Sequence, residues 1–75
     1  MKKTITGEEI FTSSSTQIAI APTSNGYTLN YSVDGQTWTA WGEAVPANEN
    51  CVVSGVVAGM YIKLVGNTDE ITVIA

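Results

Sequence analysis

Tyr27-Thr28-Leu29-Asn30-Tyr31-Ser32-Val33-Asp34-Gly35-Gln36-Thr37-Trp38-Thr39-Ala40-Trp41 decides the fold class. From Tyr27 to Val33 apolar and polar residues alternate without a fault, the period of a half-buried strand with Tyr27, Leu29, Tyr31 and Val33 toward the core. Asp34-Gly35 interrupts, and Gln36 to Trp41 resumes a run rich in Thr and Trp. Asp-Gly between two such runs is the pattern of a type I′ hairpin, whose central residues need positive φ, a conformation that Gly adopts without a Cβ clash. A two-residue turn sets Val33 against Gln36, Ser32 against Thr37, Tyr31 against Trp38, Asn30 against Thr39 and Leu29 against Ala40. Tyr31 and Trp38 then form a core-facing aromatic pair contributing ~0.2–1 kcal/mol. Replacing a Trp38 buried in this way by Ala would cost about 3–5 kcal/mol. Trp41 falls on the opposite, polar face with Thr28, Asn30, Thr37 and Thr39. A three-residue turn with a bulge is the alternative, and it slips every one of these partners.

The same signal recurs on both sides of the hairpin. Thr16 to Ala21 places Ile18 and Ile20 on one side, and Pro22-Thr23-Ser24-Asn25-Gly26 breaks the run with turn residues. Gly42 to Asn50 is a long connection, and its Pro46 cannot donate to a central ladder. Strands resume at Cys51-Val52-Val53, pause at Ser54-Gly55 and continue through Val56-Val57-Ala58; Met60 to Val65 and Ile71 to Ala75 are two more. Lys3 to Thr6 and Ile10 to Thr12 are short candidates at the start. No segment carries a helical period, and no internal repeat is present. Short strands at intervals of roughly 8–12 residues predict an all-β fold, a small antiparallel β-sandwich (Ig-like) or a compact β-barrel. Residues 1–75 are expected to form a single domain, with 1–12 a candidate N-terminal arm.

Composition narrows the function. The chain has 75 residues, one cysteine and no histidine or arginine. The thin core therefore has no intrachain disulfide to staple it, and the commonest general base, metal ligand and phosphate clamp are missing together. Enzyme chemistry and a bound cofactor are not expected. A net charge of −4 sets the chain against phosphate backbones and anionic lipid, so neither nucleic acid nor membrane is an expected partner. Charged residues make up 13%, whereas Thr, Ser, Asn and Gln supply 23 residues. A polar but weakly charged surface loses little hydration when it is covered, which favours assembly, and so small a core gains most from homo-oligomerisation. The opening Met1-Lys2-Lys3 leads into no apolar run, so a cytoplasmically made chain without a leader is expected.

Few residues invite a chemical role. Trp41 among Thr39, Asn30 and Thr28 is a ring of the kind that stacks on a sugar or anchors a protein interface; the plainer reading is a Trp covering the core edge beside Pro46. Glu8-Glu9 and Asp69-Glu70 are paired carboxylates, but neighbours in a turn point apart, and glycoside hydrolysis needs two acids across a cleft. Asp34 and the Asn67 to Asp69 turn lack the spaced oxygen ligands of a calcium loop, and no metal site is expected. Cys51 reads as a small buried apolar residue.

Ser32-Val33-Asp34-Gly35-Gln36-Thr37-Trp38 resembles the Asp-box of sialidase-like propellers, shortened by one residue between the Asp and the Gly. With Tyr31 it is also similar to the Tyr-Ser-x-Asp-Gly-x-x-Trp hairpin of discoidin-type and immunoglobulin-like modules. In those settings Tyr31, Asp34, Gly35 and Trp38 hold the hairpin together. Over about two thirds of its length, through Tyr31, Asp34, Gly35, Trp38, Pro46, Asn48, Gly59, Tyr61, Leu64, Gly66 and Asn67, the chain resembles small virion proteins of tailed phages, of the head decoration or head-fibre type. The resemblance implies a non-enzymatic structural protein made in the host cytoplasm. It would sit in many copies on the capsid exterior, bound to the major capsid protein or another virion protein, often as a trimer. Lys2, Lys3, Thr4 and Ile5 would then add a strand to a neighbour, with Trp41, Thr39 and Asn30 at the contact. A carbohydrate-binding module presenting Trp41, Trp38 and Tyr61 to a glycan is the competing expectation, and a tail or baseplate subunit a third.

Overall fold

The computed structural model describes all 75 residues. Eight strands form: β1 (Lys2–Thr6), β2 (Phe11–Thr12), β3 (Gln17–Ile20), β4 (Thr28–Ser32), β5 (Thr39–Ala40), β6 (Cys51–Ser54), β7 (Tyr61–Val65) and β8 (Glu70–Ile74). No helix is present, so none is long and apolar enough to cross a membrane.

The pairings describe one long hairpin rolled on itself. β4 pairs with β5 across the Asp34 turn, and β3 with β6, β2 with β7 and β1 with β8 extend the same antiparallel ladder outward to the termini. Rolling the ladder adds two further antiparallel contacts, β3 with β8 and β4 with β7. The result is two four-stranded sheets, sheet I in the order β1-β8-β3-β6 and sheet II in the order β2-β7-β4-β5. The protein is thus a small β-sandwich, as its alternating runs predict. Its strand order is that of an eight-stranded jelly roll; only β4 and β5 are consecutive strands within one sheet, whereas an immunoglobulin sandwich keeps several such neighbours together.

Alternation fills the core from both sheets. Ile5, Ile18, Ile20, Val53, Ile71 and Val73 point inward from sheet I, and Phe11, Leu29, Ile62 and Leu64 from sheet II, with Tyr27, Val56, Met60 and Ala75 closing the ends. The first twelve residues, expected as an arm, supply β1 and β2; Ile5, expected at an interface, is a core residue with 2% of its surface exposed. Val56 to Ala58 do not continue β6. Gly55 takes φ of +91° and turns the chain toward sheet II, burying Val56 and leaving Val57 outside.

The long connection is fastened rather than loose. Tyr27 and Val45 exchange both backbone hydrogen bonds, at 3.1 and 2.7 Å, and the Asn48 N–H donates to the Thr23 carbonyl. Gly26 lets this segment approach: with φ of +73°, a Cβ there would lie 2.7 Å from the Val45 oxygen.

Candidate functional site

The hairpin tip is not the two-residue turn. Tyr31 pairs with Thr39 and Asn30 with Ala40, one residue out of the expected register. Gly35 has positive φ, +80°, but Asp34 does not, so the type I′ geometry is absent. The Asp34 side chain makes the difference. Its Oδ1 accepts the N–H groups of Gln36 and Thr37 at 2.8 and 2.9 Å and the Ser32 hydroxyl at 2.9 Å, while Ser32 Oγ accepts the Gly35 N–H at 2.8 Å. Four side-chain hydrogen bonds organise a wider loop that a bare Asp-Gly turn cannot offer. Hydrogen bonding to the Thr37 and Gln36 amides, then to Ser32, holds the Asp34 carboxyl down at about 2.

A one-residue slip turns every later side chain over, and it exchanges the two tryptophans. Trp41 lies opposite Leu29, its N–H bonded to the Leu29 carbonyl at 2.7 Å; its ring packs against the core and meets Tyr31 edge to face at 5.1 Å. Trp38, expected as the buried partner of Tyr31, lies on the outer face, where the Lys63 ammonium sits 4.3 Å from its ring centre. Val33, expected inward, is 81% exposed because the strand ends at Ser32.

The outer face of sheet II therefore carries Trp38 where Trp41 was expected. Asn30 lies between Ala40 and Lys63 in the ladder, and Tyr61 is opposite Ser32 with its ring against the Gly35 turn. The Asn30 Oδ1 atom is shielded from solvent and has no hydrogen-bond partner. Thr39, opposite Tyr31, belongs to the Trp41 side, so the expected group of Trp41, Thr39 and Asn30 is divided between two faces. Lys2 and Thr4 lie on β1 in the other sheet, and Lys3 is half-buried with its ammonium 2.7 Å from the Thr12 carbonyl.

The acids hold loops rather than a cleft. Glu8 accepts the Gly66 N–H at 2.7 Å, Glu9 the Thr6 N–H at 3.0 Å, and Asp69 the backbone and hydroxyl of Ser24 at 2.6 and 2.9 Å. Buried Asn67 ties the same corner together by donating to the Gly7 and Asp69 carbonyls. No three Cys, Asp or Glu side chains gather where they could share an ion. Cys51 is half-buried, and burial together with its thiol pushes the Tyr27 phenol well up; the phenolic oxygen has no hydrogen-bond partner.

Sequence reasoning passed over the outer face of sheet I. Lys2, Ile74, Ala19 and Val52 stand in one row across its four strands, with Val52 65% and Ile74 49% exposed. A shallow depression lined by Ala19, Ala21, Cys51, Val52 and Ile74 lies along this row. The signal was in the alternation: β8 and β6 have apolar residues at both phases, the mark of a strand covered on both sides.

Comparison with known protein families, curated proteins and solved structures finds no match.

Proposed function

We propose that the protein is a non-enzymatic structural component of a phage virion, bound to the outer capsid surface in many copies. The observation that carries this reading is the outer face of sheet I, an apolar row from Ile74 through Ala19 to Val52 that ends at Lys2, with Glu70 further along β8. A face of this kind loses little when covered, and binding that favours only the closed shell adds its free energy to shell stability. The jelly-roll order is in keeping with the reading, since capsid proteins use it, although lectins and many others do too. Quantitative peptide counting in density-purified particles tests it. A copy number comparable to the major shell protein supports decoration, a much lower one points to the tail or baseplate, and absence from particles refutes the reading.

A glycan-binding role is the second reading, and one observation favours it. Trp38, Tyr61 and Lys63 share the outer face of sheet II, with Asn30 between Ala40 and Lys63 in the ladder. A ring flanked by polar groups is what a sugar face stacks upon. On a glycan array Trp38→Ala would abolish binding while Trp41→Ala, if folded, would retain it; no binding by the parent protein removes this reading.

A further inference from the structure

We infer that the free edge of β6 pairs with β6 of a second copy, antiparallel about a two-fold axis at Val52. This goes beyond the virion reading and does not depend on it.

The direction of the backbone groups follows from the ladder. The Gly55 N–H donates to the Thr16 carbonyl at 2.9 Å, so residues 16 and 55 are a hydrogen-bonded pair. Antiparallel alternation places the next such pairs at 18 with 53 and 20 with 51. The N–H and C=O groups of Val52 and Ser54 consequently point away from β3, and β6 has no other strand neighbour.

The other three edges are guarded in ways that β6 is not. β1 carries Lys2, and its Thr6 N–H is taken by Glu9. On β2, two residues long, the Lys3 ammonium covers the Thr12 carbonyl. β5 is also two residues long, and only Trp41 separates it from the turn at Gly42. β6 has four residues, no charge and no proline, and no side chain bonds to the outward groups of Val52 or Ser54.

A second copy fits this edge better than any charged partner. Two β6 strands related by a two-fold exchange both hydrogen bonds at Val52 and set Ser54 of each against Asn50 of the other. The apolar row then runs through both sheets without a break, and the two Lys2 residues stand at its opposite ends. Nothing along the edge selects a partner by charge, and like meets like without repulsion. The contact covers on the order of 1,000 Å² or less, the size of a weak, reversible interface.

Sedimentation equilibrium over a concentration series, with amide exchange followed by NMR at its two ends, tests the pairing. The expected result is a monomer–dimer equilibrium in which the Val52 and Ser54 amides gain protection as dimer forms, while the outward Lys2 and Thr4 amides of β1 stay fast. Val52→Pro removes an N–H that the monomer does not use, so the domain folds and association weakens about tenfold or more. Thr4→Pro makes the same change on β1 and leaves association untouched. Should Val52→Pro fail to fold, Val52→Lys sets two cations face to face at the axis and weakens association likewise. A protein that stays monomeric at millimolar concentration, a trimer, or an associated form with fast Val52 and Ser54 amides overturns the inference, and none of these outcomes bears on whether particles contain the protein.

Discussion

The exchange of the two tryptophans makes a quantitative prediction: Trp41→Ala destabilises the domain more than Trp38→Ala. Trp41 is half-buried, packs against the core, and meets Tyr31 edge to face at 5.1 Å. Full burial of a Trp is worth about 3–5 kcal/mol on truncation; half of that, with ~0.5–1.5 kcal/mol for the aromatic pair, gives about 2–4 kcal/mol. Trp38 is half-buried as well, but on the outer face and outside the core cluster, so its truncation loses about half of the ~1.5–3 kcal/mol transfer term and leaves no cavity. Its cation–π partner Lys63, at 4.3 Å, adds about 0.5–1 kcal/mol, for a total of about 1–2.5 kcal/mol. The gap between the variants is thus about 1 kcal/mol, read from urea midpoints followed by far-ultraviolet circular dichroism, since each variant loses a fluorophore. Midpoints should move while the denaturant slope stays constant. Equal midpoints, or a larger loss for Trp38→Ala, would restore the Tyr31 to Trp38 pairing and refute the slipped register.

Three further outcomes follow from single contacts. The Asp34 carboxyl titrates at about 2 against a usual 3.8, so its contribution is complete above the usual value and is lost as pH falls through the lower one; Asp34→Ala should flatten the acid limb of stability between them, and an unchanged limb would count against the turn network. Gly26→Ala combines positive φ with a Cβ 2.7 Å from the Val45 oxygen and should cost about 3 kcal/mol or more, whereas Gly55→Ala, with open space around it, should cost about 1 kcal/mol; thermal melts that rank them the other way would refute the close approach. Tyr27→Phe removes a shielded hydroxyl that bonds to nothing, so stability should hold or rise by about 1 kcal/mol, and a marked loss in the melting temperature would mean that the hydroxyl has a partner.

Local periodicity was enough to place all eight strands near their observed positions, because Ile18 and Ile20, Leu29 and Tyr31, and Ile62 and Leu64 each face the core at a spacing of two. The errors come from side chains acting across the chain's own turns. Asp-Gly reads as a I′ turn only while the Asp carboxylate is idle; once it accepts the amides of Gln36 and Thr37, a wider loop wins and the faces of Trp38 and Trp41 change places. The roll itself had no local signature. Pairing β1 with β8 joins Lys2 to Ile74, and no pattern within either strand names the other. The candidate site suffered accordingly: Asn30 was placed on a polar face correctly, but its aromatic companion was the wrong tryptophan, and the apolar row of sheet I needed four strands side by side before it existed.

Where the acids went explains why the sheet faces are bare. A 75-residue jelly roll must cross between its sheets at nearly every connection, and each crossing leaves backbone amides without a ladder partner. Glu8, Glu9 and Asp69 accept amides of this kind at Gly66, Thr6 and Ser24, and Asp34 accepts those of the β4–β5 turn, which stays within sheet II. Of the seven acids only Glu70, on the outer side of β8, stands on a sheet face. In a chain with 13% charged residues, most of the remaining sheet surface falls to Thr, Asn, Ala, Val and Ile, with Lys2 and Lys63 the cations among them. Such a surface costs little to cover, and it leaves β6 as a template for another strand. Loop fastening and a weakly charged sheet surface are thus two consequences of one allocation of charge.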